Sequence, residues 1–216
     1  MLKDYKTIEK EGYFLLEEKR SRFIGRAKPV SSEEEALEFI QAIKTSCWDA
    51  THNCYAYSVE QDALYQRYSD DGEPQGTAGL PMLDVIRKRG LQNVAVVVTR
   101  YFGGILLGAG GLVRAYSKAC SGALIDAGEV WVKTCLEIKL PIEYHLSGKL
   151  QNMLINEDFI IGNTEYSDEV TYTVYSPPER LDFLNQQISE ITGGVLRTEV
   201  IGSKKIKIDE DRKLIK

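Results

Sequence analysis

The chain is poor in the residues that build metal centres and disulfide scaffolds. Its 216 residues include two histidines and four cysteines. Cys47, Cys54, Cys120 and Cys135 show no close paired spacing, and His52 and His145 lie far apart. That argues against a structural zinc site and a disulfide framework. No apolar run approaches the ~20 residues of a membrane span. The N-terminus, Met1-Leu2-Lys3-Asp4-Tyr5-Lys6, lacks the apolar core of a secretion signal. A cytoplasmic protein without a membrane partner is therefore expected. A basic excess is also missing. The net charge of −5 argues against indiscriminate nucleic-acid binding, and no DNA specificity is expected, while a local basic patch can still serve.

What is present suits an ordinary globular protein, 43% hydrophobic and 27% charged, large enough for one or two cored domains. The most explicit stretch is Val94-Ala95-Val96-Val97-Val98. Mostly β-branched and uniformly apolar, it reads as a strand buried on both faces. Arg100 and Tyr101 follow, then a loop with Gly103, Gly104, Gly108, Gly110 and Gly111, then an amphipathic helix. That helix packs Leu112, Tyr116, Ala119, Cys120 and Ala123 inward and turns Arg114 and Lys118 out. A glycine loop before a helix N-terminus favours an anionic or phosphate-bearing group. Arg100, Tyr101, Gly103, Gly104, Gly108, Gly110, Gly111 and Arg114 are the candidate phosphate ligands. The loop matches neither a P-loop nor a dinucleotide fingerprint. The competing explanation is that the glycines only permit close helix–strand packing.

Tyr5 to Val30 reads as two or three strands. Period-two geometry places Arg20, Arg22, Arg26 and Lys28 on one strand face, away from Ser21, Phe23, Gly25 and Ala27. This stripe is either a solvated surface or a contact for an RNA backbone. Ser32-Glu33-Glu34-Glu35 is a capping box opening a helix with Leu37, Ile40, Ile43 and Cys47 buried. Asn53 to Glu60 alternates as a strand, and Tyr55 and Tyr57 on one of its faces are candidates for stacking on bases. The next helix carries Pro81 in its first turn and stops at Gly90.

Asp70, Asp71 and Glu73 lie together in a polar turn running to Gly79. Carboxylates so close repel unless a cation or hydrogen-bond donors compensate them. They could hold Mg²⁺, or one could act as a general base with His52. Equally, an aspartate there could start the turn and cap the helix near Thr77. His52, Asp70, Asp71 and Glu73 are thus the catalytic candidates, though no catalytic motif is complete. Cys54 makes a poor nucleophile beside His52, because residues two apart on a strand are about 7 Å apart by strand rise.

After Gly128 the pattern restarts. Val130 to Ile142, Tyr144 to Ile155, the pair Phe159–Tyr166 and Val170–Tyr175, a helix opened by Ser176-Pro177-Pro178-Glu179, and Val195 to Ile201 read as β-α-β-β-α-β. The second helix buries Leu181, Leu184, Ile188 and Ile191 and ends at Gly193-Gly194. Lys204, Lys205 and Lys207 suit a solvated tail strand. The order predicts a ferredoxin-like domain over 131–216 behind an α/β domain over 1–130, an α+β chain overall.

Three stretches carry a family resemblance: Thr51-His52-Asn53-Cys54-Tyr55-Ala56-Tyr57; Asp70-Asp71-Gly72-Glu73-Pro74 with Gly76-Thr77-Ala78-Gly79; and Arg100-Tyr101-Phe102-Gly103-Gly104 with Leu107-Gly108-Ala109-Gly110-Gly111-Leu112. Together they resemble the signatures of the YigZ/IMPACT family, over nearly the whole chain. The resemblance implies a first domain similar to RNase PH and to domain IV of elongation factor EF-G, and a second similar to domain V of that factor. It also implies a role in translation, since eukaryotic IMPACT proteins regulate it, although those carry an additional RWD domain. Bacterial members have no established reaction, and a proline dipeptidase label on some relatives finds no metal-peptidase constellation here. The expected function is a translation-associated regulatory or binding protein contacting RNA or the ribosome. The alternatives are a metal-assisted enzyme acting on a nucleotide or phosphorylated metabolite, with a phosphate-bearing small molecule as partner, and a protein-interaction module.

Overall fold

The computed structural model describes residues 4–61, 63–195, 198–209, 211 and 213–215. It divides into two units, Tyr5–Val130 and the chain from Trp131 onward with Asp4 beside it. The first unit comprises β1 (Tyr5–Ile8), β2 (Gly12–Glu18), β3 (Ser21–Pro29), α1 (Glu33–Ser46), β4 (His52–Glu60), β5 (Leu64–Ser69), α2 (Gly79–Lys88), β6 (Val94–Tyr101) and α3 (Ala109–Ala127). Five strands form a sheet in the order β2-β3-β6-β4-β5, with every pairing antiparallel. Central β6 is buried on both faces. Val94, Val96 and Val98 enter the core beneath α2 and α3, while Ala95 and Val97 enter a smaller one beneath α1.

Local chemistry sets the helix positions. The Ser32 hydroxyl caps α1 by accepting from the Glu35 N–H at 3.1 Å, and Glu35 reaches back to the N–H and hydroxyl of Ser31. The buried stripe is rotated from the expected one. Ala36 and Ile40 face the sheet, and Leu37 is 48% exposed. The stripe of α3 is as predicted, with Leu112, Tyr116, Ala119, Cys120 and Ala123 all buried. Glycine lets this helix lie close to the sheet. A Cβ on Gly12 would stand 2.1 Å from the Ala123 carbonyl oxygen, and one on Gly25 2.4 Å from that of Ala119. The hairpin joining β2 to β3 turns through Lys19 and Arg20 at φ of 46° and 65°, the signature of a two-residue primed turn. Arg20 therefore belongs to the turn, and the expected four-cation stripe on β3 shortens to Arg22, Arg26 and Lys28.

β7 (Glu129–Ile142) leads into the second unit, which continues with α4 (Tyr144–Asn156), β8 (Ile160–Tyr166), β9 (Val170–Ser176), α5 (Leu181–Thr192), β10 (Glu199–Ile208) and β11 (Leu214–Ile215). The order β11-β10-β7-β9-β8 is antiparallel throughout. Without the short edge strand β11 it is the 4-1-3-2 sheet of a ferredoxin-like βαββαβ fold. Ile138, Leu140 and Val174 on the sheet pack with Leu150, Leu154, Leu184 and Ile188 of the two helices. Two local expectations change. The Ser176 hydroxyl donates to the Pro177 carbonyl at 3.0 Å instead of capping a helix, and a 3-10 turn over Pro178–Arg180 precedes α5. The last long strand is Glu199–Ile208, not Val195–Ile201; Leu196 and Arg197 lie outside the described residues.

Candidate functional site

The register of β4 against β6 sets His52 opposite Arg100. Both side chains then share the sheet face covered by α3. The turn after β5 and the loop before α3 close over this corner, leaving a cavity of about 390 Å³. Its polar lining is Thr51, His52, Glu73 and Arg100, and its apolar wall includes Phe102, Leu106 and Leu112.

The floor is a buried ion pair. Glu73 Oε1 accepts from Arg100 Nη1 and from the Tyr116 hydroxyl, each at 2.7 Å. Glu73 is 8% exposed and Arg100 5%. The Arg100 guanidinium also lies 5.3 Å from the Phe23 ring centre and 5.4 Å from that of Phe102, a cation–π arrangement strengthened by desolvation. Its Nε is buried without a hydrogen-bond partner. His52 Nδ1 lies 2.8 Å from the Asp71 carbonyl oxygen. A carbonyl only accepts, so this contact assigns the proton to Nδ1. Nε2 stands 3.9 Å from Glu73 Oε2, beyond hydrogen-bond length. Gly108 (φ 74°) precedes α3, and no side chain caps that helix.

Burial pushes the Tyr116 phenol above its ordinary value, aided by Cys54 and Glu73. Burial likewise pushes the Cys54 thiol up to about 12. Its Sγ donates to the Asp70 carbonyl at 2.9 Å. Cys54 is thus a packed thiol, as the strand spacing implied.

The three clustered carboxylates diverge. Asp70 accepts from the N–H groups of Gly76, Ala78 and Gly79 at 2.8, 3.1 and 2.8 Å, capping the start of α2. Asp71 accepts from Lys44 Nζ and from the Asn53 N–H, each at 2.7 Å. Burial alone would raise its pKa, but these donors hold it below the ordinary carboxylate value. Only Glu73 faces the cavity. Among the described residues no three His, Cys, Asp or Glu side chains are placed to hold a metal. Of the three carboxylates considered for Mg²⁺, Asp70 is held by backbone donors, Asp71 by Lys44 and a backbone donor, and Glu73 by Arg100 and Tyr116.

The glycine loop is not one phosphate cradle. Adjacent on β6, Arg100 and Tyr101 point to opposite faces, and the Tyr101 hydroxyl donates to Asp49 at 3.1 Å. The Gly103 N–H donates to Ser21 Oγ, and a Cβ there would stand 2.1 Å from the Arg20 backbone. Gly103 is a packing glycine. Gly111 meets Leu107, whereas Gly104, Gly108 and Gly110 have open space where a Cβ would be. Arg114 lines a separate cavity of about 360 Å³ with Glu18, Lys19 and Lys118.

The outer face of the sheet divides in two. Over β4 and β6, α1 buries Tyr57, whose hydroxyl donates to Glu33, so Tyr57 is withdrawn from base stacking. Tyr55 is half-buried, its ring 6.3 Å from that of Tyr57. Over β2 and β3 the face is open. Arg22 is exposed, 4.9 Å from the Tyr101 ring centre. Arg26 lies 5.9 Å from that of Tyr13 and donates to Thr99 Oγ1 at 3.1 Å. Lys28 has Glu11 at 3.9 Å. Sequence reasoning missed Tyr13, which alternation along Gly12–Glu18 places outward, and the polar role of Tyr116. The signal for Tyr116 was a phenol in a stripe otherwise filled by alanine, cysteine and leucine, since a buried hydroxyl needs a partner.

A two-domain α+β protein results, with a cavity at one corner of its first sheet and an open aromatic–cationic face on the other side. The Impact N-terminal domain matches residues 19–124, and a domain of unknown function, DUF1949, matches 140–195. The chain is 42% identical to IMPACT family member YvyE of Bacillus subtilis, covering 90% of this chain and 89% of that protein. To IMPACT family member YigZ of Escherichia coli it is 34% identical, covering 83% and 89%. The crystal structure of an hypothetical protein superposes with a TM-score of 0.58 at 31% identity, covering 93% of this chain and 98% of that one. The chain belongs to the IMPACT family.

Proposed function

We propose that this protein is a translation-associated regulatory protein and that the open face of β2 and β3 contacts RNA on the translation machinery. The translation role rests on the family resemblance. One observation carries the contact: Arg22 and Arg26 each lie over an aromatic ring on a sheet face that α1 leaves uncovered, with Tyr13 52% exposed. Such layers offer a charge to a phosphate and a ring to a base. Glu17 pairs in register with Arg22 and Glu11 lies near Lys28, so these carboxylates offset part of the positive charge of the patch, in keeping with the acidic whole.

Sedimentation of a lysate through a sucrose gradient tests this directly. The wild type is expected to comigrate with ribosomal particles at low salt and to leave them as salt rises. In a binding titration with single-stranded RNA, each lost phosphate contact should flatten the log–log salt slope by about 0.7. Arg22→Ala with Arg26→Ala should weaken binding at least tenfold. A protein that stays at the top of the gradient at every salt, or a double variant that binds as the wild type does, would remove this face from the interaction.

A further inference from the structure

The cavity at His52, Glu73 and Arg100 takes no part in that sheet face, which lies on the opposite side of β6. We infer that it is a binding site for a small organic anion that also carries a hydroxyl or ammonium donor. The donor half follows from the floor. His52 Nδ1 is committed to the Asp71 carbonyl, which leaves Nε2 of the neutral ring as an acceptor. Glu73 spends Oε1 on Arg100 and Tyr116, and among the described residues its Oε2 accepts no hydrogen bond. With the ring neutral, two acceptors thus stand 3.9 Å apart and open to one cavity, where a single donor, from water or from a ligand, can serve both. A hydroxyl or ammonium group between them donates to one or both.

The anionic half follows from the opposite wall. Gly108 and Ala109 line the cavity where α3 begins, and no side chain caps this 19-residue helix. Its first-turn N–H groups and positive dipole end attract a carboxylate or phosphate. This wall would mean little without the floor, where Glu73, more than nine-tenths buried and paired through Oε1, leaves Oε2 without a protein donor among the described residues and open to the same cavity. The Arg100–Glu73 pair is internally neutral, so it neither repels the anion nor binds it outright. Phe102, Leu106 and Leu112 supply the apolar wall that most small-molecule sites possess, and about 390 Å³ is metabolite-sized.

The test titrates the full-length protein with matched probes, read by calorimetry and by amide NMR shifts of residues 109–112. 2-Hydroxy-4-methylpentanoate and leucine carry a donor and a carboxylate; 4-methylpentanoate lacks the donor. Glycerol 3-phosphate carries hydroxyls and a phosphate; propyl phosphate, titrated at pH 8 as its dianion, carries the phosphate without a donor. At least one donor-bearing anion is expected to bind tenfold or more tightly than its donor-less match while shifting the α3 amides. Carboxylate and phosphate arms identify which anion the helix prefers. His52→Ala should weaken that binding tenfold or more. Because His52 also anchors the Asp71 turn, Ala109→Trp serves as a second variant, filling the cavity from an exposed position and abolishing binding in a protein that still folds. No binding of any donor-bearing probe at millimolar concentration overturns the inference. So does equal binding of donor-bearing and donor-less probes, or binding that survives Ala109→Trp.

Discussion

Individual side chains here hold the fold through charges that are paired rather than merely solvated, and Glu129 is the clearest case. At the start of β7 it accepts from both Lys6 and Arg89, and Arg89 also donates to Ser121 at 2.7 Å. Burial by itself would raise the Glu129 pKa, but these two cations hold it below the ordinary carboxylate value. A depressed folded-state pKa stabilises the fold above the unfolded-state value, near 4.5, and loses that contribution as pH falls through the folded-state value. Glu129→Gln is expected to lower stability by about 1–3 kcal/mol at pH 7, the scale of hydrogen bonds to charged groups. Urea unfolding at pH 7 and again below pH 4 checks the sign, since the gap between wild type and variant should shrink in acid. A gap that is unchanged or wider at low pH would mean that Glu129 acts through packing and not through its charge.

Among the elements, α2 depends on a residue far outside itself. Ala78 precedes the helix without a side-chain cap, and Asp70 instead reaches Gly76, Ala78 and Gly79 with one carboxylate. Asp70→Ala is expected to cost roughly 1–3 kcal/mol by stranding backbone donors, measured as a lower urea midpoint. Asp70→Asn, which keeps one acceptor oxygen, should lose less. The same turn shows what was legible in the sequence. That an aspartate of this turn caps the helix near Thr77 could be read from turn chemistry; that Asp70 does so while Asp71 and Glu73 point elsewhere could not, because their partners Lys44, Asn53, Arg100 and Tyr116 come from four other segments. β6 and the inner stripe of α3 were legible because apolar residues recur at the period of one element. β5 was not, since Leu64-Tyr65-Gln66-Arg67-Tyr68-Ser69 is an edge strand with no buried residue and hence no alternation. Leu37 misled because the stripe of α1 is fixed by how the helix lies on the sheet, and Ala36 carries too little hydrophobic signal to announce itself. Arg100 and His52 each stood out alone; only the antiparallel register of β4 and β6 makes them neighbours.

At the scale of the whole molecule, each core of described residues falls within one unit. Every residue of the two cores around the first sheet lies within Tyr5–Val130, and those of the second sheet lie within the chain from Trp131 onward. The four free cysteines sample this division, with Cys47, Cys54 and Cys120 in the first unit and Cys135 in the second. Burial pushes Cys54 and Cys120 up to about 12 and Cys135 up to about 11. These three are thiols at pH 8, and the thiolate is the reactive form, so labelling of them should report opening and not intrinsic reactivity. Pulsed alkylation along a urea gradient, read by mass spectrometry, is expected to modify Cys54 and Cys120 in one step. Cys135, clustered with Tyr175, Ile206 and Ile208, should follow the second unit independently. Leu184→Ala removes a fully buried side chain from the larger core of that unit, a change worth roughly 2–5 kcal/mol. It should shift the Cys135 midpoint to lower urea and leave Cys54 and Cys120 where they were. If all three midpoints moved together, the continuous strand β7, which starts in one unit and runs through the other, would be transmitting cooperativity along the backbone.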